Sequence, residues 1–186
     1  MSRETTLLVR LRIDKSSDIE ELVNYWGRHG RAKDVRPVIE SLANIEGGER
    51  INIVCLLPTF ARQRLYLYPP PPEREPAAKR DCHWTAFNFF ADQPDDRFCQ
   101  EQEVVKTLEQ DYYRVFGDLK LGDIALFSNE PGKVTHSAVY VADDIFYTKN
   151  GSLSTRPWML MRLEDMKDYY PSHKPVDARF YRRKDT

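Results

Sequence analysis

Four consecutive prolines, at positions 69–72, constrain the fold more than any other feature of this 186-residue chain. Proline has no backbone N–H to donate, so such a run favours extended polyproline II over helix or sheet. With Pro76 close behind, the run predicts a connector over residues 69–80. The chain is therefore expected to divide into an N-terminal part, residues 1–68, and a C-terminal part, residues 81–186.

The N-terminal part is expected to be mostly helical after one short strand. Apolar and charged residues alternate over residues 7–13, which is the pattern of a half-buried strand. Ser17 stands three residues before Glu20, the spacing of a capping box, so a helix is predicted to begin there. A second helix is predicted after Asp34, and residues 51–68 are predicted as helix.

The C-terminal part is predicted as two helices followed by strands. The first helix covers residues 82–91, and the second runs from Asp95 or Asp96 to Gly117. Short runs rich in β-branched and aromatic residues follow, at 124–127, 136–141, 145–148, 158–163 and 176–181. This order predicts the α+β class, with helices packed on an antiparallel meander of four or five strands.

The charge balance and the short apolar runs argue against several functions. The chain has 28 basic and 29 acidic residues, so its net charge of −1 does not favour binding to nucleic acid. Its apolar runs are far shorter than the roughly 20 residues of a membrane-spanning helix. The N-terminus has no signal-peptide core, so the chain as written is expected in the cytoplasm. Removal of a signal peptide would instead make it an exported or periplasmic protein.

Three cysteines, Cys55, Cys82 and Cys99, are too few and too irregularly spaced for a disulfide framework or a zinc site. No metal or cofactor is therefore expected. Cys55 and Cys99 are expected to be small buried apolar residues. Cys82 differs from them because it opens a predicted helix, directly after Asp81.

Cys82 is the candidate nucleophile. The N–H groups and the dipole at a helix start stabilise a thiolate, as does a neighbouring imidazolium, so its pKa is expected below the ordinary value of about 8.5. His136 opens a predicted strand downstream and is the candidate base. A hairpin at residues 143–144 would place that strand beside the next one. Asn150 and Thr148 on the next strand are the alternative candidates for orienting the imidazole.

The order of these motifs resembles the NlpC-type papain-like cysteine peptidase superfamily. The resemblance lies in Asp81-Cys82 at a helix start, in LGDIALF at 121–127, and in HSAVYV at 136–141 followed by a polar strand residue. It covers roughly residues 80–163 and implies a papain-like fold. It also implies that Cys82 is the nucleophile, His136 the base and Thr148 or Asn150 the orienting residue of an enzyme that cleaves amides, cell-wall-type peptides among them.

The substrate side of the predicted site departs from the family pattern. The family usually follows the cysteine with Ser-Gly, whereas His83 and Trp84 stand here, so a bulky pair is expected to line the site together with Asp81. Trp84 also lies on an apolar helical stripe, which predicts a core position. Tyr68, just before the prolines, is expected either to lie over the cleft or to belong to an inert connector.

The sequence therefore predicts a thiol hydrolase that cleaves an amide bond, with a peptide as the expected substrate. Two alternatives keep the same fold. A thiol acyltransferase would use the same residues, whereas a non-catalytic binding or assembly module would have lost turnover.

Overall fold

The computed structural model describes residues 6–70, 80–130, 133–169 and 177–184, without the side chains of residues 129, 130 and 133. The predicted connector falls mostly on residues 71–79, outside these ranges. The helices are α1 (Ile19–Trp26), α2 (Ala32–Ala43), α3 (Thr59–Arg64), α4 (Cys82–Phe87), α5 (Glu101–Asp111) and α6 (Leu163–Tyr169). The strands are β1 (Arg10–Ile13), β2 (Glu49–Asn52), β3 (Tyr112–Val115), β4 (Ile124–Glu130), β5 (Lys133–Ala142), β6 (Ile145–Lys149), β7 (Trp158–Arg162) and β8 (Asp177–Arg183). Within the described ranges, no helix has the length and apolar character needed to cross a membrane.

The N-terminal part holds a two-stranded antiparallel sheet, β1 with β2, and the helices α1 to α3. α1 begins because the carboxylate of Asp18 accepts the backbone N–H of Glu21 at 2.9 Å. The prediction of Ser17 as the capping residue is therefore wrong, since Ser17 Oγ instead accepts the N–H of Asp14 at 3.0 Å. Residues 51–68, predicted as helix, form the end of β2, a 3₁₀ turn, α3 and an extended segment.

The C-terminal part is built on one antiparallel sheet in the order β3-β8-β4-β5-β6-β7. The predicted α+β class with an antiparallel sheet is confirmed. The predicted count of four or five strands is wrong. Apolar residues keep a helical spacing as far as Gly117 and so predict helix there, but α5 ends at Asp111 and a further strand, β3, follows it. Tyr112 is already extended, and the strand it opens pairs with β8. β4 to β7 form a meander, whereas β8 returns to lie between β3 and β4.

Side chains alternate between the two faces of this sheet. On the face that we name the inner face, Ile124 and Val139 join Trp84 of α4 in the main hydrophobic cluster. On the opposite face, named the outer face, Phe127 packs in a second cluster with Met166 of α6. Both faces are covered, so residues of the central strands are buried whichever way they point.

The N-terminal part packs against the inner face of the sheet. Phe60 of α3 belongs to the same hydrophobic cluster as the inner-face residues. Tyr25 OH donates to the carbonyl of Val141 at 2.7 Å, and the backbone of Leu65 forms a parallel bridge with Trp158. The two parts of the sequence therefore share one core.

Candidate active site

α4 begins directly at the candidate nucleophile. Asp81 caps this helix, because its Oδ1 accepts the backbone N–H groups of His83 at 2.8 Å and of Trp84 at 3.1 Å. The hydroxyl of Thr85 also donates to the carbonyl of Asp81, at 2.7 Å. Cys82 is thereby held as the first residue of the helix, although the helix is shorter than predicted and ends at Phe87.

The Cys82 thiol lies against the strand that carries His136. Only 5% of Cys82 is exposed, and its sulfur accepts the backbone N–H of Ser137. That N–H belongs to the peptide bond between His136 and Ser137. The structure therefore places the Cys82 sulfur at the backbone of His136, where the ladder of β5 and β6 has ended beyond the pair of Val139 and Tyr147.

His136 is fully buried and is held by Thr148. Its Nε2 lies 2.8 Å from Thr148 Oγ1, and this hydroxyl donates its proton to the carbonyl of Ser137 at 3.1 Å. Because a hydroxyl has one proton, its oxygen accepts from Nε2–H when the ring is neutral. The acceptor nitrogen of that tautomer is Nδ1, so the ring keeps the basic nitrogen that a cysteine nucleophile requires.

Asn150, the other candidate for the orienting role, is also buried. Its Nδ2 lies 3.1 Å from Met161 Sδ and 3.6 Å from Met159 Sδ, both on β7. The bond to Nε2 of His136 described above comes from Thr148. This bond favours Thr148 as the orienting residue.

Burial sets the pKa of the Cys82 thiol. Desolvation, and after it the negative charge of Asp81, raise this pKa to about 12. The backbone N–H groups of Ser137, His83 and Cys82 itself act in the opposite direction but are outweighed. The predicted lowering of the pKa at a helix start is therefore wrong, because the surrounding protein removes the water that a thiolate needs.

Burial also lowers the pKa of His136, to about 3, and the neighbouring His83 acts in the same direction. At neutral pH both partners are therefore uncharged. The resting site contains a thiol and a neutral imidazole, in place of the thiolate and imidazolium that the sequence predicts.

His83 approaches β5 from the face opposite to that of His136. Its Nδ1 is 2.5 Å from Ser137 Oγ, and burial lowers its pKa. Since successive strand residues point to opposite faces, Ser137 points to the inner face and His136 to the outer face. The ring of Phe127, directly opposite His136 on β4, has its centre 5.5 Å from the imidazole centre. The two histidines therefore lie on either side of the strand that binds the thiol.

Lys149 is a site residue that the sequence analysis missed. It is 0% exposed, and its Nζ donates to the carbonyls of Gly151 at 2.5 Å and of Leu153 at 3.2 Å. Burial lowers the pKa of Lys149, whereas the charges of Asp81 and Cys82 raise it. A lysine that ends a strand buried on both faces is the sequence signal that could have indicated it.

The other residues predicted at the substrate site are found in different settings. Trp84 is buried, as its position on the apolar stripe predicts, and its Nε1 donates to Asp96 at 2.9 Å. The guanidinium of Arg80 lies 5.1 Å from the centre of a Trp84 ring. Tyr68 is 57% exposed, near the end of the described N-terminal range.

The remaining cysteines do not have the predicted burial. Cys55 is exposed in the 3₁₀ turn between β2 and α3, and Cys99 is half-buried. The prediction of a buried apolar residue is therefore wrong for Cys55. It is met in part for Cys99, which packs against the main hydrophobic cluster, and Cys82 is the fully buried cysteine. In the part of the chain that the structure describes, no three His, Cys, Asp or Glu side chains are grouped so as to hold a metal ion.

No family model, no curated protein and no solved structure matches this chain. The resemblance to NlpC-type peptidases therefore stays a prediction from the order of the motifs. Any function must be argued from the geometry around Cys82.

Proposed function

We propose that this protein is a thiol hydrolase that cleaves an amide bond, with a peptide as its substrate. The proposal rests on one observation, that the Cys82 sulfur accepts the N–H of the peptide bond between His136 and Ser137. His136 is in turn held through Nε2 by Thr148. The proposed nucleophile thus lies at the backbone of the proposed base, and a threonine hydroxyl holds the ring of that base.

In the first step, the Cys82 sulfur attacks the carbonyl carbon of the amide. The S–H proton passes to Nδ1 of His136, a carbon–sulfur bond forms, and the carbonyl π electrons move to the oxygen. His136 begins as a neutral base, in agreement with its low pKa. The imidazolium formed keeps its Nε2–H on the Thr148 oxygen.

In the second step, the amine leaves and water releases the acyl group. The intermediate collapses as the carbon–nitrogen bond breaks and His136 gives its proton to the amine. Water then attacks the thioester while His136 takes a proton from it and returns that proton to the departing sulfur. The products are an amine and a carboxylic acid, and the thiol is restored. In a thiol acyltransferase, another amine or an alcohol would replace water.

The backbone N–H of Cys82 is the candidate donor to the oxyanion. It lies close to the sulfur, where it already acts on the thiol pKa. The next two N–H groups of the helix, those of His83 and Trp84, are bonded to Asp81. The capping carboxylate thus leaves the first N–H of the helix for the substrate.

The burial of Cys82 favours a second candidate, a non-catalytic binding or assembly module on the same fold. A thiol that is 5% exposed and has a pKa of about 12 does not react while it stays covered. For the hydrolase, the side chains that cover the sulfur must therefore open transiently and admit small reagents as well as the substrate. For the binding module, Cys82 and His136 would be core residues only.

A peptide screen with two cysteine variants separates these candidates. The wild type, Cys82→Ala and the matched control Cys55→Ser are incubated with acidic, neutral and basic peptides, and new amines are detected by mass spectrometry. We expect cleavage by the wild type and Cys55→Ser, no cleavage by Cys82→Ala, and an acyl group on Cys82 after acid quenching. Transfer to an added amine at the expense of hydrolysis would identify the acyltransferase. Absence of both cleavage and acyl adduct would contradict the hydrolase and favour the binding module.

A further inference from the structure

Lys149 is a buried cation that forms no salt bridge with any carboxylate of the described residues. The residue is 0% exposed, and among the described residues its Nζ bonds only to the carbonyls of Gly151 and Leu153. An ammonium has three N–H groups, so these two bonds leave one donor. Burying an ammonium without a counter-ion is costly, so the physical expectation is an anion at this position.

Lys149 lies near the helix that carries the thiol. Its Nζ is 5.8 Å from the centre of the Trp158 ring, and Trp158 Nε1 donates to Thr85 Oγ1 of α4 at 3.0 Å. The Cys82 sulfur is bound at the Ser137 N–H, on the strand β5 that neighbours the strand of Lys149. Lys149 is also within electrostatic reach of Cys82, whose charge acts on its pKa. An anion bound to Lys149 would therefore lie next to the nucleophile.

Two further hydrogen-bond donors lie on the same, inner side of the sheet. Tyr147 OH is buried and has no hydrogen-bond partner in the described part of the chain. The guanidinium of Arg64 acts on the pKa of Tyr147, donates to the Phe60 carbonyl at 3.1 Å and forms no salt bridge with any described residue. Asp81 is the acidic group that acts on Lys149, and its Oδ1 is already bonded to two backbone N–H groups. Together, Lys149, Arg64 and Asp81 carry a net charge of +1.

We infer that Lys149 binds a carboxylate of the substrate, so that the amide cleaved by Cys82 belongs to an acidic peptide. The inference rests on the proposed function, since it names the substrate class of the same site. The remaining N–H of the Lys149 ammonium donates to the carboxylate. The carboxylate supplies the missing counter-ion and holds the neighbouring amide at the sulfur.

Two alkylating reagents of nearly equal shape test this inference without a known substrate. Iodoacetate carries a carboxylate and iodoacetamide does not, and both alkylate a thiol with loss of iodide. Rates at each cysteine of the intact protein are read by peptide mass spectrometry near neutral pH, with the exposed Cys55 as internal reference. We expect the ratio of the iodoacetate rate to the iodoacetamide rate to be roughly tenfold higher at Cys82 than at Cys55, the gain from one charge-assisted hydrogen bond.

Substitutions of lysine residues test whether Lys149 causes the higher iodoacetate-to-iodoacetamide ratio at Cys82. Lys149→Met is expected to reduce the ratio at Cys82 to that of Cys55, and Lys149→Arg to keep it higher. Lys106→Met, which removes an exposed lysine on α5, is expected to leave the ratio unchanged. If Lys149→Met does not fold, the wild-type ratio decides, and its decrease with added salt shows the electrostatic origin.

Two results would overturn the inference in distinguishable ways. If Cys82 reacts with both reagents at the ratio of Cys55, Lys149 binds no anion and only fixes the loop after β6, while the proposed function stands. If Cys82 reacts with neither reagent, the proposed function is contradicted, and the inference that rests on it is lost as well.

Discussion

Cys82 and His136 have pKa values displaced in opposite directions, the thiol up to about 12 and the imidazole down to about 3. Burial is the main cause in both residues, because it disfavours the charged form of an acid and of a base alike. Between these two pKa values the pair exchanges no proton with solvent. Any proton transfer from Cys82 to His136 in that range is internal, and its extent is independent of pH.

The low pKa of His136 predicts acid-sensitive stability. The unfolded chain binds a proton at an ordinary histidine pKa of 6.5, whereas the folded chain binds it only at about 3. The free energy of unfolding is therefore expected to fall as the pH decreases from 6.5 to 3, by up to several kcal/mol, since one pKa unit corresponds to about 1.4 kcal/mol. Urea unfolding at a series of pH values measures this slope. His136→Asn should flatten it, and an equally steep slope in that variant would contradict the assignment.

Thr148 is predicted to orient His136 through its hydroxyl. Thr148→Val leaves Nε2–H of His136 and the carbonyl of Ser137 without this partner, so we expect a loss of about 1–3 kcal/mol of stability and slower alkylation of Cys82. Thr148→Ser keeps the oxygen and should retain most of both. The same two measurements on Asn150→Ala provide the comparison. A slower reaction in Asn150→Ala with a normal rate in Thr148→Val would assign the orienting role to Asn150 instead.

At the scale of secondary-structure elements, the end of the β5–β6 ladder makes the site. The hairpin is joined at Asp143 and Asp144, as the sequence predicts, and its strands are paired as far as Val139 and Tyr147. Beyond that pair, the backbone of Ser137 forms its hydrogen bonds with side chains. Its N–H donates to the Cys82 sulfur, and its carbonyl accepts from the Thr148 hydroxyl. The first residue of α4 therefore supplies the acceptor for a backbone N–H of β5 that no neighbouring strand binds.

At the cap of α4, the effect of the Asp81 charge on the Cys82 pKa can be separated from the effect of the Asp81 hydrogen bonds on stability. Asp81→Asn keeps a side-chain acceptor for the N–H groups of His83 and Trp84 but removes the charge that raises the Cys82 pKa. We expect the thiol pKa to fall below about 12 in this variant, with little change in stability. Asp81→Ala should cost about 0.5–2 kcal/mol of stability because the cap is lost. Titration of the thiolate absorbance, with Cys55 and Cys99 replaced by Ser, measures the pKa; an unchanged pKa in Asp81→Asn would contradict the account.

Local pattern was sufficient to predict the elements that carry the candidate site. Asp81 as a cap and the hairpin at residues 143–144 are both signals within a few residues, and the structure has both. β3 was missed because its pairing with β8 depends on residues that are distant in sequence. The direction of the Cys82 pKa was missed for a related reason. A helix start is visible in the sequence, but the burial that outweighs it comes from the packing of α4 on the sheet.

At the scale of the whole molecule, the two parts of the sequence are joined by one hydrophobic cluster. Tyr25 of α1 binds the carbonyl of Val141 on β5, and Leu65 extends the sheet at Trp158 on the edge strand β7. The N-terminal part therefore covers the inner face and closes one edge of the sheet. Without it, the part of the inner face that α4 does not cover would be exposed to water.

This shared core predicts a single cooperative unfolding transition. We expect peptides from α1 and α2 to lose protection against hydrogen exchange at the same denaturant concentration as peptides from β4 to β6. Pulsed hydrogen exchange along a denaturant titration, read by mass spectrometry, measures the midpoint of each peptide. Loss of protection in the N-terminal peptides at a clearly lower concentration would show that the two parts unfold separately.

The measurement that tests the central claim most directly is the rate of Cys82 alkylation by iodoacetamide as a function of pH. A thiol without a base beside it reacts about tenfold faster per pH unit as its thiolate fraction grows. If His136 takes the proton internally, the Cys82 rate is expected to be nearly constant from about pH 5 to about pH 9 and to fall sharply in His136→Asn. A Cys82 that stays inert until strongly alkaline pH, or that reacts equally in His136→Asn, would contradict the account.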